Sequence, residues 1–516
     1  MFTKVAVCRK TEYNYDDILD YIGYGKYNLC MLITCSLLIL GMYLDIFGFS
    51  VLLPAVACDM ELTTYQQGLL SAVPLVGVML SSYGWGLCAD TLGRRTTLLI
   101  AMPVGGLLNL AAGLAPTYAS LAALKFFSAA FTSSANAAAF VLVGETAPKL
   151  HRSRFMFFMA SATMFSQLII AAIALPVFEM SFRVDISWLY VEYRPWRLLM
   201  QIISLPGIIG VILVAFLHES PKFLISKDLK KDAIQVLRTI YWWNTGQKKD
   251  TFPMTSVYLD EEHSPIDPNS SVLCKMWNQT VPLFKPPLLK NSLMLYYILL
   301  CAFMTSTGYT MWVPSMINAY YSGDDATDMT FCQVASKVAG SSNSTITTDC
   351  DNAISPTALY AVIIYSGVSG CLNIILSFIV GPLGKKKLTL VIFSISSVAG
   401  VLLLFIRIPM LSISLFFVFL YVALILANIN TYLVELNPTY LRGMATCLSV
   451  VVARGCGFIS VQLIAALLGN YCTPMIAAYI VLILSGFALS FFLPPDMKKT
   501  EDVVVSVSES NTQTTF

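Results

Sequence analysis

Two charged residues stand where charge is costly. Asp45 and Arg454 lie well inside apolar stretches, where placing such a group costs about 2.5–3.5 kcal/mol on insertion scales. A charge so placed faces a wet cavity or a polar partner. Asp45 suits a cation or a coupling proton; for both residues the competing reading is a purely structural pairing. A third charge, Lys125, falls nearer the end of its stretch, where its stem can snorkel towards water. Tyr309 and Trp312 in one stretch, and Asn428 and Asn430 in another, offer the stacking surface and hydrogen bonds that hold a small organic molecule.

A second set of charges sits between stretches. Gly86-Leu-Cys-Ala-Asp90-Thr-Leu-Gly93-Arg94-Arg95 places an acid and two bases around a turn. Glycine permits close helix approach and a tight turn, and an acid at a helix end can pair with the bases. Further on, Glu145-x-x-Pro148-x-x-x-Arg152 recurs 290 residues later as Glu435-x-x-Pro438-x-x-x-Arg442, and Gly93-Arg94-Arg95 is echoed 291 residues on by Gly384-Lys385-Lys386. Opposite charges gathered at one face can tie two halves of a molecule together.

Lipid-spanning helices must position these groups. Of 516 residues, 57% are hydrophobic and 12% charged, about half the charge of an ordinary soluble domain. The apolar residues come in blocks of about 20, long enough to cross a hydrocarbon core. A soluble enzyme, a secreted disulfide scaffold and a disordered regulator are excluded. The net charge of +2 is too small to suggest nucleic acid as a partner. The polar, acidic first 25 residues lack the apolar core of a signal peptide, so the first block is expected to stay in the bilayer.

Twelve blocks are expected to span: 28–53, 66–89, 96–115, 119–143, 155–178 and 199–217, then 291–313, 357–381, 388–407, 411–433, 444–468 and 473–493. This predicts an all-α membrane protein of two pseudo-repeated six-helix bundles, 28–217 and 291–493. An N-terminal segment (1–27), a linker (218–290) with an amphipathic helix over 228–241, and a disordered tail (494–516) complete the chain. With the N-terminus inside, 25 of the 32 Lys and Arg residues fall on inner segments, which predicts cytoplasmic termini and linker. Duplicated bundles with a site at their interface are a transporter architecture.

The Gly86–Arg95 pattern, G-x-x-x-D-x-x-G-R-R, resembles the signature of the major facilitator superfamily, and the likeness covers all twelve spans. It implies that Asp90, Arg94 and Arg95, with Glu145, Arg152, Glu435 and Arg442, belong to a cytoplasmic gate between the bundles. The second copy departs, with Gly381 where an acid is expected. Asp17 to Asn28 and Glu219-Ser-Pro-Lys-Phe-Leu224 resemble the synaptic vesicle glycoprotein 2 group and its organic-ion transporter relatives; Met311-Trp-Val-Pro-Ser-Met-Ile317 resembles the vesicle group more specifically. In the organic-ion relatives a basic residue in span eleven resembles Arg454 and serves anionic solutes. Met42 stands where the vesicle group has the first acid of a pair, and Thr163 and Leu426 replace cavity aromatics, so solute preferences do not carry over.

The loop between spans seven and eight carries Cys332, Cys350 and the sequon at Asn343. On the outer or luminal side a Cys332–Cys350 disulfide and an N-glycan at Asn343 are chemically allowed. The terminal Thr514-Thr515-Phe516 suits capture by a PDZ domain. No P-loop, H-E-x-x-H or G-x-S-x-G elbow appears, and His151, His218 and His263 are too scattered for a metal site; no enzyme activity, cofactor or metal is expected. The reading is a secondary active transporter of a small organic solute, organic ion or sugar-like, with a proton as candidate coupling ion, in a plasma or vesicle membrane. The alternative is a vesicle-glycoprotein-like protein with a trafficking or scaffold role and little transport.

Overall fold

The computed structural model describes residues 13–494 except 181, 189–190, 255, 260–276, 279, 322–329, 334–353 and 438. Among the described residues, twelve helices are long and apolar enough to cross a membrane: Lys26–Asp59, Thr64–Leu92, Arg94–Ala112, Tyr118–Thr146, Arg154–Phe178 and Pro195–Ala215 in the first half, and Leu289–Asn318, Pro356–Val380, Lys385–Phe405, Met410–Leu433, Met444–Leu467 and Cys472–Ser490 in the second. They follow the twelve expected blocks in order. A helix satisfies its own backbone hydrogen bonds, which is why an apolar block in lipid takes this form.

Within the first half the first span packs on the sixth, and the second and third on the fourth; within the second half the seventh packs on the eleventh and the ninth on the twelfth. Gly41 and Gly207 make the first contact close: a Cβ on Gly41 would lie 2.6 Å from the Gly207 Cα. The halves meet where the second span lies along the eleventh, the fifth along the eighth, and the end of the first beside the seventh.

Short turns interrupt the fourth span at Ser133, the fifth at Phe165 and the sixth at Ile203 and Ser204, and two further spans carry a helical turn of another type. In the first, Leu44–Gly48 is a π-helical turn; in the tenth, Tyr421–Ile425 is 3-10. π-turns are rare and recur at functional sites, and 3-10 stretches inside long helices mark hinges or strain.

Outside the spans, helix Lys230–Thr245 is the expected amphipathic helix, displaced by a few residues. Helix Tyr15–Ile22 starts on the Asn14 side chain, which accepts from the Asp16 amide at 3.1 Å. Tyr13–Asn14 pairs in parallel with Val257–Tyr258, fastening the start of the chain to the linker. Val184–Ile186 and Val191–Tyr193 form an antiparallel pair ahead of the sixth span.

One expectation is corrected here. Cys332 is bonded to Cys472 at the start of the twelfth span, and Cys350 lies outside the described residues. The sequence pointed to the other cysteine of the same loop, but the fold brings the twelfth span's first turn beside Cys332. Cys58, at the end of the first span, is also disulfide-bonded. Asn343 and Thr514–Phe516 lie outside the described residues.

Candidate transport site

Asp45 and Lys125 form a buried ion pair, 2% and 0% exposed, between the first and fourth spans. The Lys125 ammonium also donates to the Asp45 backbone carbonyl at 2.7 Å and to Asn109 Oδ1 at 3.1 Å. The second carboxylate oxygen accepts from Ser128 at 2.7 Å and Thr132 at 3.1 Å. The Phe49 ring lies 5.1 Å from the ammonium. Lys125 therefore does not snorkel, as its position near the end of an apolar block had suggested. Its stem turns inward because a carboxylate, a carbonyl and an amide oxygen together replace the water it gives up.

Arg454 reaches the other way, from the eleventh span across to the first. Its guanidinium donates to the Tyr43 hydroxyl at 3.3 Å and lies 5.6 and 5.5 Å from the centres of the Tyr43 and Phe47 rings. It is 5% exposed, and its Nε–H has no partner. Among the described residues no carboxylate pairs with it. A buried cation met by one hydroxyl and two aromatic faces, and by no carboxylate, keeps unspent attraction for an anion.

The other expected site residues separate. Asn428 is buried with its amide Nδ2 unpartnered. Asn430, two residues on, is exposed, because a helix turns residues two apart towards opposite sides. Trp312 donates its indole N–H to the Val461 carbonyl at 3.3 Å and lies beside Gly68 of the second span, so it braces the seam between halves. Tyr309 is wholly buried inside the second bundle against Phe416, Phe419 and Tyr479, with ring centres 5.0–6.0 Å away. The expectation that it lines the cavity is corrected to a place in that bundle's core, although its hydroxyl has no partner.

At the basic end of the spans, Gly93 adopts φ +107° and Gly384 φ +85°, so the echoed turns share a backbone conformation that favours glycine. Gly86 has open contact with the eleventh span, where a Cβ would lie 3.6 Å from Cys447 Sγ. Arg94 bonds Glu145 at 3.0 Å and Asp90 at 3.2 Å. Arg95 donates to the carbonyls of Val214 and Ala215 at 3.2 and 2.7 Å. Arg152 pairs with Asp16 at 3.0 Å. Among the described residues, then, the bonds of Arg94, Arg95, Glu145 and Arg152 knit the first half to itself rather than to the second, as the gate expectation required. The acidic helix Tyr15–Ile22 supplies the nearest carboxylate for Arg152. The side chains of Glu435 and Arg442 lie outside the described residues.

Glu219 has a role at this end that its place in the sequence did not suggest. Its Oε1 accepts from the backbone amides of Arg94 and Arg95, both at 3.0 Å, and Oε2 from that of Thr96 at 3.2 Å. It caps the third span from 125 residues away, meeting the amides and dipole that a helix start exposes. A Cβ at position 93 would lie 2.4 Å from its Oε2, a second reason for glycine there. Nearby His218 has its pKa lowered by burial and then by the Arg95 and Lys249 charges.

At the opposite end Asp59 accepts from Trp196 Nε1 at 3.1 Å and pairs with Arg194 at 3.0 Å and Arg197 at 3.6 Å. Asp59, Arg194 and Arg197, with Tyr118 and Glu192, line a polar cavity of about 390 Å³.

Two halves of six spans, with an ion pair sealed in one and a cation presented at the seam between them, have the architecture of a membrane transporter. The match to known families agrees. The chain belongs to the Major Facilitator Superfamily, whose family model matches residues 35–461. It is similar to synaptic vesicle glycoprotein 2A of Rattus norvegicus, 21% identical over 324 residues, covering 59% of this chain and 43% of that protein. It is also similar to synaptic vesicle glycoprotein 2C of Mus musculus, 20% identical over 333 residues, 60% and 45% covered. The chain thus spans under half the length of these relatives. Among solved structures it resembles the partially occluded, inward-open xylose transporter XylE from E. coli, with TM-score 0.62, 15% identity, and coverage of 91% of this chain and 100% of that one. A D-xylose-proton symporter structure gives TM-score 0.61 at 14% identity, covering 91% and 99%.

Proposed function

We propose that the protein is a secondary active transporter moving a small organic solute by alternating access, with Arg454 as the solute's counter-charge and Asp45–Lys125 as the coupling pair. The observation that carries this reading is the Arg454 guanidinium, buried at the seam between halves with an unpartnered Nε–H and aromatic rings for company. A group placed there meets both halves, so its occupancy can bias their rocking. Its charge favours an organic anion over a sugar-like solute, with Asn428 as a further donor. Asp45 and Lys125 supply a proton site: an incoming proton neutralises the carboxylate and frees the ammonium. The xylose-proton symporters that share the fold support that class of coupling.

The test is uptake into proteoliposomes from a panel of labelled organic anions, organic cations and sugars, with and without an imposed pH gradient. Saturable anion uptake, abolished in Arg454→Ala and made independent of the gradient in Asp45→Asn, is expected. No saturable uptake of any solute would favour the alternative, a trafficking or scaffold protein of the vesicle-glycoprotein type. We read the termini as cytoplasmic, in a plasma or vesicle membrane. Glycosidase should then shift the mobility of the wild type but not of Asn343→Gln.

A further inference from the structure

Tyr43, Asp45 and Phe47 are consecutive odd residues at one turn of the first span. Residues four apart on a helix share a side and the one between them faces away. Tyr43 and Phe47 accordingly stack, with ring centres 5.6 Å apart and planes 15° from parallel, and both face Arg454. Asp45 points to Lys125. The turn that carries Asp45 and Phe47 is the π-helical Leu44–Gly48.

Lys125 holds that turn twice over, by its carboxylate and by its backbone, since the ammonium bonds the Asp45 carbonyl as well. The Ser50 hydroxyl donates to the Phe47 carbonyl at 2.7 Å. Side chains that insert into the backbone ladder in this way sustain a bulge that would otherwise close to an α-turn. Closing it removes one residue from the turn and rotates the helix before the turn by up to about 100° relative to the helix after it.

We propose that the Leu44–Gly48 turn transmits the state of the Asp45–Lys125 pair to Arg454 through the Tyr43 and Phe47 rings, with Tyr43 as the residue that positions the guanidinium. The inference rests on the reading of Arg454 as the solute's counter-charge. While Lys125 holds the Asp45 carboxylate and carbonyl, the turn stays wide and the two rings face Arg454. When the pair parts, the turn narrows, Tyr43 swings from the seam, and the guanidinium is released. One turn of helix thereby joins the ion site inside the first half to the solute site between the halves.

The test needs no solute. Phenylglyoxal labels arginine, and the initial rate of Arg454 labelling in the full-length protein can be followed by mass spectrometry of the peptide that contains it. Asp45→Asn should raise that rate about fivefold, the equivalent of one net hydrogen bond. Tyr43→Phe, which keeps the ring and loses the hydroxyl, should raise it less than Tyr43→Ala. Adding Asp45→Asn to Tyr43→Ala should give no further rise, because the path runs through that ring. Amide exchange over residues 43–50 should quicken in Asp45→Asn. If Asp45→Asn does not fold, Ser128→Ala, which removes one donor to the carboxylate, should give the same pattern with smaller rises. Additive labelling rates, or quickened exchange with Arg454 labelling unchanged, would overturn the proposal. Absent uptake with coupled labelling would sink the transport reading alone; normal uptake with additive labelling would sink this inference alone.

Discussion

The same place in the two halves is filled by opposite chemistry. In the first half Lys125 of the fourth span meets Asp45 of the first. The offset of 291 residues that carries Gly93 to Gly384 carries Lys125 to Phe416 of the tenth span. There Phe416 meets Tyr309 of the seventh, edge to face, with ring centres 5.6 Å apart. One half has at its heart a pair of opposite charges; the other has a pair of aromatic rings. Around Phe416 the aromatic character continues: Phe331 stacks on it at 4.8 Å, and Tyr365 stacks on Phe417 at 4.8 Å. Duplication preserved the frame and let the contents part, so that charge chemistry and shape-filling are divided between halves.

Breaking the first pair should have the largest effect. Lys125→Met leaves a buried carboxylate without its cation and should cost about 3–5 kcal/mol, read as a lowered thermal midpoint in detergent. Making the first half resemble the second is the sharper experiment. Asp45→Leu with Lys125→Met should recover stability to within about 1 kcal/mol of wild type, since an apolar pair of similar volume commonly replaces a buried ion pair. That double variant should nevertheless lose any response of uptake to a pH gradient. Failure to recover stability would mean that the pair also organises Asn109, Ser128 and Thr132 in a way apolar groups do not.

Glu219→Gln comes next. It removes the charge and replaces one accepting oxygen with an NH2 that cannot accept, so at least one of the three amide bonds is lost, and it should cost about 1.5–3 kcal/mol, with faster amide exchange over residues 94–97. The turn at Gly384 is the comparison within the same molecule, and its exchange should not change. Asp90→Asn should cost about 0–1 kcal/mol, because its carboxylate is largely exposed and such pairs are weak; its effect should appear in transport turnover rather than in the thermal midpoint. Tyr309→Phe should be the smallest. The hydroxyl is buried and unpartnered, so its removal should leave the midpoint unchanged or raise it, whereas Asp45→Asn at the equivalent heart should not be neutral.

The sequence made the spans legible because an apolar block in lipid has few alternatives to a helix, and the repeat was legible because its turns need glycine, proline and charge at fixed places. The charged heart was half legible. Asp45 stood out as a misplaced charge, but its partner lies 80 residues away and Lys125 sat close enough to a block end to pass for a snorkelling residue. Tyr309 and Trp312 were legible as aromatic but not by direction, since a helix buried on most sides gives no strong periodicity to say which side meets the cavity. The Cys332–Cys472 bond and the Glu219 cap were missed for one reason: each joins residues more than 100 apart, and local spacing carries no trace of such contacts.

The distance between Glu219 and the helix it caps has a consequence for biogenesis. The third span leaves the ribosome well before Glu219 is synthesised, so its first amides enter the bilayer boundary with only water, or the Gly93 turn itself, to meet them. The carboxylate that locks them arrives after the sixth span has been made. Completion of the first half is thus signalled by a residue at the very start of the linker, before the second half exists. Ribosome-bound chains long enough for Glu219 to have left the exit tunnel should therefore be more resistant to protease at the Gly93 turn than the same chains carrying Glu219→Ala.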